Sequence, residues 1–341
     1  MALRDRLLKN STIKDAAFIA ESRLFEEKDI IDSGIPGLNI ALSGDALDGG
    51  LVPGILQIAA ESKHFKSKFA IEIVKAFIRK YPDGVVLFYD SEYGTPESYF
   101  GDIPLDNIIH CPILDLEEFK HDIVVQLGEI QRGDKVLIIV DSIGNIPSLK
   151  ELEDAEKGKD VADMTRAKVL KSVFRMIMPR INQKDIYCVM VNHTYKTIEM
   201  YSKDVPTGGT GSVYNSNVIW TITKAKEKET VNFEVDGKKK SKDELVGYQF
   251  TITAFKSRFI KEESKIPITV TFDEGIAKWG GMFDLAVSGG YLTRPTAQTY
   301  ARKDKPETTY KKKEIEDNDE FWTAMFKETD FNEWIKEQYK I

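Results

Sequence analysis

Residues 55–70, ILQIAAESKHFKSKFA, contain an apolar strand-like run, a short polar loop and a helix-like run, with Lys66 and Ser67 at the junction. The order strand, loop, helix is typical of a phosphate-binding loop, in which backbone N–H groups and a helix N-terminus surround an anion. When the pattern GxxxxGK[ST] is laid over AESKHFKS, Ala60 and Phe65 occupy the two glycine positions. The bare pattern therefore fails, and support for the loop must come from the rest of the sequence.

The chemistry of such a loop resides in residues that this sequence keeps. Lys66 would neutralise phosphate charge, and the Ser67 hydroxyl would be a ligand of Mg²⁺. Glycine is needed only where φ is positive or where the backbone must approach the ligand closely. We therefore predict that Phe65 has helical dihedrals and that its ring faces the protein. The predicted nucleotide-binding loop consists of Glu61, Ser62, Lys63, His64, Phe65, Lys66 and Ser67.

The region that follows alternates between strand-like and helix-like segments. Strand candidates at 55–59, 85–89, 108–111, 136–140 and 186–191 are continuous apolar runs, as expected for strands buried on both faces. Helix candidates at 67–81, 116–132 and 161–181 separate several of them, which favours crossover connections. After residue 213 the extended segments NVIWTIT, GYQFTITAF and IPITVTF predict antiparallel strands. The fold class is thus α/β, with a mainly parallel central sheet extended by antiparallel strands.

The two ends of the chain differ from this centre. Residues 1–25 have helix-like apolar spacing and predict an N-terminal helical arm. Residues 294–320 are polar, and a short aromatic helix is predicted within DEFWTAMFKETDFNEWIKEQY at 319–339. We expect an arm at 1–30, a core at 31–280 and a small C-terminal domain at 281–341.

Composition excludes some classes of protein. The 341 residues are 42% hydrophobic and 30% charged, and no apolar run approaches the ~20 residues of a membrane helix. The N-terminus lacks the apolar core of a signal peptide, so we expect a cytoplasmic protein. The two cysteines are expected to be buried reduced thiols, and the four histidines have no metal-site spacing. A net charge of −7 argues against a general nucleic-acid coat but allows a local basic groove.

Two further strand candidates end in carboxylates. VLIIVDS at 136–142 reaches Asp141, as in a magnesium-coordinating Walker B strand, and VVLFYDSEYG at 85–94 reaches Asp90 and Glu92. Parallel strands bring such ends to one edge of the sheet. A carboxylate there could orient a water molecule and accept its proton. Spacing alone does not choose between Asp90 and Glu92, and VLIIVDS alone is equally typical of an ordinary strand that ends in a turn residue.

Several segments in the same order identify a family. They are NIALSG, SKHFKS, LFYDSE, DSIGN, DMTRAK, NHTY, GGTG and YQFTITAFKSR. The sequence resembles the RecA-like recombinases, and most closely the UvsX-type recombinases of T-even and related phages, which also carry Phe at the second glycine position. The resemblance extends over the whole chain and implies a RecA-like P-loop ATPase core.

The resemblance also implies roles for single residues. Glu92 would activate the attacking water, and Tyr99 would stack on adenine. His193, where bacterial RecA has glutamine, would sense the γ-phosphate. Lys256 and Arg258 would reach ATP bound to the adjacent subunit. Without the resemblance, Tyr99 would be interpreted as a half-buried tyrosine and His193 as a strand-end surface residue. Lys256 and Arg258 would be interpreted as part of a solvated sheet face.

DNA binding is likewise implied by the resemblance, through loops at about 147–165 and 195–213. Each loop alone would be an ordinary solvated loop. The DNA-binding candidates are Arg166, Tyr195, Lys196, Lys203, Gly208, Gly209 and Gly211. The implied activity is ATP- and Mg²⁺-dependent filament formation on single-stranded DNA, followed by strand exchange with homologous duplex DNA, in the host cytoplasm. A mediator, a single-strand-binding protein and packing of the arm on a neighbouring subunit are also implied.

Two other functions remain open at this stage. One is a ring-forming RecA-core motor such as a helicase, and the other is a DNA-binding scaffold that does not hydrolyse ATP.

Overall fold

The structure, a computed structural model, describes residues 2–159, 164–197, 204–235, 238–273 and 275–341. Within 229–235 and 238–241 it describes the backbone alone. Helices follow the order α1 Leu3–Lys9, α2 Pro36–Ser43, α3 Lys66–Lys80, α4 Leu116–Glu129, α5 Leu149–Glu156, α6 Thr165–Lys184, α7 Gly209–Asn215, α8 Met282–Ser288, α9 Lys312–Glu316, α10 Asp319–Glu328 and α11 Phe331–Tyr339. Single 3₁₀ turns are present at Ile19–Glu21, Arg23–Phe25 and Glu97–Tyr99.

The strands are β1 Gly54–Ala60, β2 Val85–Asp90, β3 Ile108–Pro112, β4 Val136–Asp141, β5 Tyr187–Lys196, β6 Asp204–Pro206, β7 Val218–Val235, β8 Lys238–Ser257, β9 Lys265–Thr271, β10 Gly275–Ile276, β11 Leu292–Thr293, β12 Tyr300–Arg302 and β13 Lys305–Tyr310. The large sheet has the order β10-β9-β8-β7-β1-β5-β4-β2-β3, with β6 paired to β5. Strands β7, β1, β5, β4, β2 and β3 are parallel, whereas β7, β8, β9 and β10 pair antiparallel. The prediction of a mainly parallel sheet extended by antiparallel strands is confirmed.

The parallel strands form because both of their faces are covered. Strand β4, the run VLIIVD, is buried along its whole length. One face of the sheet packs against α3 through residues such as Phe69 and Phe77, and the other packs against α4 and α6 through Phe119 and Phe174. In the sheet register Ala60 is the neighbour of His193, and Asp90 is the neighbour of Asp141. The predicted functional strand ends are therefore side by side.

The N-terminal segment is less helical than the sequence predicts. After α1 it contains only the two 3₁₀ turns, and Leu3, Leu7, Ile13 and Ile19 are exposed. A helix this short is marginal without tertiary packing, and these side chains have no core to pack against. The described helices include none long and apolar enough to cross a membrane.

Three other segments carry more structure than expected. The single aromatic helix near the C-terminus is two helices, α10 and α11, because the chain leaves the helix at Thr329. The polar stretch at 294–320 contributes β12 and β13 to a small antiparallel sheet with β11, and then α9. The first DNA-loop candidate contains α5, which begins with a capping box at Ser148 and Glu151.

Both cysteines are free; Cys188 is buried as expected and Cys111 only half-buried.

Candidate active site

A cavity of about 310 Å³ lies at the carboxyl edge of the parallel strands. It brings together most residues that the sequence predicts for a nucleotide site. Its lining comprises residues 62–68, Glu92, Gly94, Thr95, Tyr99, Val191 and His193. Tyr99 belongs to the 3₁₀ turn after β2 and is half-buried.

The loop between β1 and α3 has a backbone that glycine would adopt easily. Phe65 has φ 55° and ψ 27°, and Lys63 has φ 63°. The prediction of helical dihedrals at Phe65 is therefore wrong, because α3 begins from a left-handed residue. This conformation costs a residue with a Cβ atom roughly 1–2 kcal/mol. The second half of the prediction is confirmed, since the Phe65 ring packs against Tyr248 and Phe250 at centroid distances of 5.8 and 5.5 Å.

Lys66 is the first residue of α3 and is buried. Its Nζ donates a hydrogen bond to the backbone carbonyl of Glu61 at 3.0 Å, across the mouth of the loop. Burial lowers the pKa of Lys66, while the negative charges of Glu92 and Asp141 act in the opposite direction. The ammonium group is thus held inside the loop, close to where an anion would be bound.

Asp141 at the end of β4 has the properties of a metal ligand. Its Oδ1 is buried and has no hydrogen-bond partner in the described part of the chain, while Oδ2 accepts a 3.4 Å hydrogen bond from Thr95. Ser67, the second residue of α3, is close to the same carboxylate and acts to lower its pKa. Burial, with a smaller effect of Glu92, raises the pKa of Asp141 to about 6. A buried carboxylate oxygen and a hydroxyl suit Mg²⁺, which prefers oxygen ligands.

The two carboxylates at the end of β2 and just after it have different tasks. Asp90 is buried, and its Oδ1 accepts the backbone N–H groups of Glu92 and Tyr93 at 2.9 and 2.8 Å. Its Oδ2 lies 3.3 Å from Nε2 of His110. Asp90 therefore stabilises the turn after the strand, and the turn carries Glu92 to the cavity.

Glu92 is held by three side chains that contact the same carboxylate oxygen. Its Oε1 accepts hydrogen bonds from Ser142 at 2.6 Å and Asn145 at 2.9 Å, and lies 3.2 Å from Nε2 of His193. The His193 hydrogen bond is the main cause that lowers the pKa of Glu92 to about 2. Ser142 and Asn145 were not predicted, although both lie in the DSIGN segment that supports the resemblance.

A buried polar network leads from this site to the second DNA-loop candidate. The Asn192 side chain donates to Gln57 at 3.0 Å and to the backbone carbonyl of Thr207 at 2.9 Å. Gln57 in turn donates to the Ser216 hydroxyl at 2.6 Å and to the carbonyl of Ser212. Sequence reasoning missed this network, whose one visible signal is a glutamine inside the apolar run ILQIA.

Arg166 is engaged by the backbone. Its half-buried guanidinium donates to the carbonyl oxygens of Ile146 and Gly144, so a phosphate contact would require it to leave them. Burial lowers the pKa of Arg166.

The second DNA-loop candidate is partly described. Tyr195 is exposed, and Lys196 forms an exposed 3.1 Å ion pair with Glu61 of the phosphate loop. Gly208 and Gly209 have φ values of 95° and 67°, which favour glycine at these positions. A Cβ atom on Gly211 would lie 2.9 Å from the Lys171 side chain. Lys203 lies outside the described residues.

Lys256 and Arg258 at the end of β8 are not equivalent. The ammonium of Lys256 donates to the carbonyl oxygens of Val213, Tyr214 and Ser216, at the C-terminal end of α7. Burial, followed by the charge of Arg258, lowers the pKa of Lys256. Arg258 follows the last residue of β8 and is exposed.

Comparison with known proteins gives consistent matches. Residues 279–335 match the family model described as the C-terminal domain of the bacteriophage T4 recombination and repair protein. The chain is 41% identical over 351 residues to the recombination and repair protein of Enterobacteria phage T4, covering 99% of this chain and 86% of that protein. It is 24% identical to protein RecA of Caulobacter vibrioides, covering 79% of this chain and 70% of that protein. For protein RecA of Rhodopseudomonas palustris the identity is 25%, with coverage of 78% and 72%.

The bonding of Lys256 predicts a stability difference between two neighbouring cations. Lys256→Met removes charged donors from three carbonyl groups, so it should lower the free energy of unfolding by about 1–2 kcal/mol. Arg258→Met is the matched control and should change it by less than about 0.5 kcal/mol. Urea unfolding of both variants tests this, and equal effects would contradict the capping role of Lys256.

The raised pKa of Asp141 predicts a pH-dependent effect in metal-free protein. A pKa of about 6, against an ordinary 3.8, means that the folded state disfavours the ionised form. The resulting destabilisation is fully present above about pH 6 and disappears towards pH 4. Asp141→Asn should therefore stabilise the metal-free protein at pH 8 by on the order of 2 kcal/mol and have little effect near pH 4.

Thermal unfolding in EDTA between pH 4 and pH 8 tests this expectation, with the exposed Asp83 replaced by Asn as control. A loss of stability in Asp141→Asn at pH 8 would show that burial does not oppose ionisation of this carboxylate.

Proposed function

We propose a mechanism for this chain, which belongs to the family of the bacteriophage T4 recombination and repair protein and is a recombinase with a RecA-like core. The chain binds ATP at the carboxyl edge of the parallel sheet and hydrolyses it when DNA is bound. It assembles as a helical filament on single-stranded DNA and pairs that strand with homologous duplex. The observation that supports ATP hydrolysis is that Lys66 and Glu92 line one cavity, with Asp141 close enough for its charge to act on Lys66.

Each of these side chains has a separate task in the reaction. Lys66 exchanges the carbonyl of Glu61 for phosphate oxygens and offsets their charge. Glu92 is ionised at neutral pH and orients a water molecule towards the γ-phosphate. A pKa of about 2 makes it a weak base, which suits a reaction that depends more on positioning than on proton removal.

Ser67 and Asp141 are the residues that would hold Mg²⁺. The ion supplies positive charge to the β- and γ-phosphate oxygens when it is bound. The half-buried ring of Tyr99 lines the same cavity and stacks on adenine. Residues 61–65 of the loop supply backbone N–H groups for the phosphates.

His193 connects the nucleotide to DNA. It contacts Glu92, and its backbone N–H donates to Asn192, whose side chain is bonded to Thr207 in the following loop. A shift of Glu92 on binding of the γ-phosphate would therefore be transmitted to residues 195–211. Tyr195, Lys196, Lys203 and the glycines at 208, 209 and 211 contact the single strand there, largely through phosphates.

Assembly places further residues at the subunit interface. Arg258 reaches the ATP of the adjacent subunit, and Lys256 does so by leaving the carbonyl oxygens at the end of α7 that it binds here. The arm at 1–30 packs on a neighbouring core at 31–280. The exposed apolar residues Leu3, Leu7 and Phe25 support this packing. A head-to-tail contact of this kind propagates into a filament. The C-terminal domain at 281–341, a mediator, a single-strand-binding protein and the host cytoplasm complete the proposal.

Hydrolysis can be separated from nucleotide binding by two substitutions. Glu92→Gln should lower DNA-stimulated ATP hydrolysis by at least about 100-fold, since it removes the ionised carboxylate, while ATP affinity stays within about threefold. Lys66→Ala should weaken both hydrolysis and binding. Steady-state hydrolysis with single-stranded DNA and titration with a fluorescent ATP analogue give the two quantities.

The exposed Glu97 provides the matched control, as Glu97→Gln should retain wild-type hydrolysis. Hydrolysis by Glu92→Gln within a few-fold of wild type would overturn the assignment of Glu92 as the carboxylate that orients the attacking water. A wild-type protein that hydrolyses no ATP would favour the DNA-binding scaffold, and electron microscopy that shows closed rings would favour the ring-forming motor.

The ion pair between Lys196 and Glu61 predicts opposite effects on DNA binding. Lys196→Ala should weaken binding of single-stranded DNA and reduce the slope of log K against log salt by about 0.7. Glu61→Gln should strengthen binding in the absence of nucleotide, because Lys196 loses a competing anion. Fluorescence anisotropy with a labelled oligothymidylate measures both effects.

Lys135, which pairs with Asp29 at 3.4 Å at the opposite edge of the sheet, is the control. If Lys135→Ala weakens DNA binding as much as Lys196→Ala does, then loss of net charge explains the result and the DNA loop does not.

A further inference from the structure

The phosphate loop is attached to the strand pair β7–β8 at the two residues that have positive φ. Nζ of Lys224 donates a 2.6 Å hydrogen bond to the backbone carbonyl of Lys63. The ring of Phe65 lies edge-on to Tyr248 and tilted against Phe250. Each left-handed residue of the loop therefore has a contact from the same pair of strands.

These three residues form one unit, which we call the loop clamp: Lys224, Tyr248 and Phe250. Lys224 and Phe250 are cross-strand partners in the β7–β8 ladder. The Lys224 ammonium lies 4.7 Å from the centroid of the Tyr248 ring, which places its charge over an aromatic face. Phe250 is fully buried and packs edge-on against Phe69 of α3 at 5.5 Å. The clamp is thus fixed by the sheet on one side and by the core on the other.

The position of the clamp matters because Phe65 immediately precedes Lys66. The dihedrals at Phe65 set the direction in which α3 begins, and therefore where its first N–H groups and the Lys66 side chain point. Glycine would accept this backbone without strain, but a residue with a Cβ atom needs compensation. Aromatic pairs of this geometry offer a stabilisation of similar size.

We propose that Lys224, Tyr248 and Phe250 are positioning residues for ATP binding. They hold Phe65 in the left-handed conformation that the second glycine supplies in the pattern GxxxxGK[ST], and they fix the left-handed Lys63 two residues before it. The proposal rests on the proposed function, in which this loop binds ATP. The competing explanation is that the Phe65 ring only fills space in the core, with no effect on the loop backbone.

Substitutions at position 65 separate the two explanations. Phe65→Ala removes the ring and keeps the Cβ strain, whereas Phe65→Gly removes the ring and the strain together. If the clamp acts on the backbone, Phe65→Ala should weaken ATP binding by about tenfold, and Phe65→Gly should return to within about threefold of wild type. Calorimetric titration of the full chain with ATP and Mg²⁺ provides the affinities, and thermal unfolding without nucleotide is recorded in parallel.

A second substitution tests the partner of the ring. Tyr248→Ala should weaken ATP binding about fivefold in the wild-type background and less than twofold in the Phe65→Gly background, where the ring is no longer needed. Lys224→Met should also weaken binding, while Lys226→Met, an exposed lysine two residues along the same strand, should leave it unchanged.

The possible outcomes are distinct. An affinity of Phe65→Ala equal to or above that of Phe65→Gly would overturn the clamp, as would an equal effect of Tyr248→Ala in both backgrounds. If the wild-type chain binds no ATP, the proposed function fails. The effect of the loop clamp on the backbone is then tested by the unfolding temperatures alone. In that case Phe65→Gly must be more stable than Phe65→Ala for the clamp to stand, and equal or lower stability overturns it.

Discussion

Burial of parallel strands on both faces is the constraint on which the rest of this structure depends. Strands β1 and β4 are buried along their whole length and β5 is buried over its first six residues, so side chains that can meet a ligand from solvent lie where these strands end. Because the strands are parallel and in register, those ends share one edge. The phosphate loop, Asp141 and His193 are neighbours for this reason, and not because they attract one another.

The charges at this edge of the sheet do not cancel one another. A buried lysine stands close to two carboxylates whose pKa values move in opposite directions, that of Asp141 upwards through burial and that of Glu92 downwards through His193. In the proposed function, this divergence suits Asp141 to a metal ligand and keeps Glu92 ionised at neutral pH. The surrounding core stabilises the arrangement, since each charged group is attached to the end of a buried strand or to the start of α3.

Sequence predicted the parts of the fold that depend on local pattern and missed those that depend on distant contacts. The run VLIIVD is apolar enough to indicate a buried strand, and the strand ends follow from it. Asp90 and Glu92 have the same alternation, so only the turn after β2 distinguishes them. The carbonyl contacts of Lys256 could not be inferred, because long side chains reach partners that spacing does not reveal. The arm at residues 1–25 has helical spacing, yet its large apolar side chains are exposed and it forms little helix.

The clamp on Phe65 bears on how such loops are recognised. In a glycine-containing loop the requirement for a left-handed backbone is encoded within eight consecutive positions. Here Lys224 binds the backbone of the loop, and Tyr248 and Phe250 pack against the Phe65 ring, all from more than 150 positions further along the chain. A short search pattern therefore discards a loop whose signature is dispersed over three segments. In relatives, the residue types at positions 65 and 248 should vary together, and an aromatic pair two residues apart on the partner strand should mark a phosphate loop without glycine.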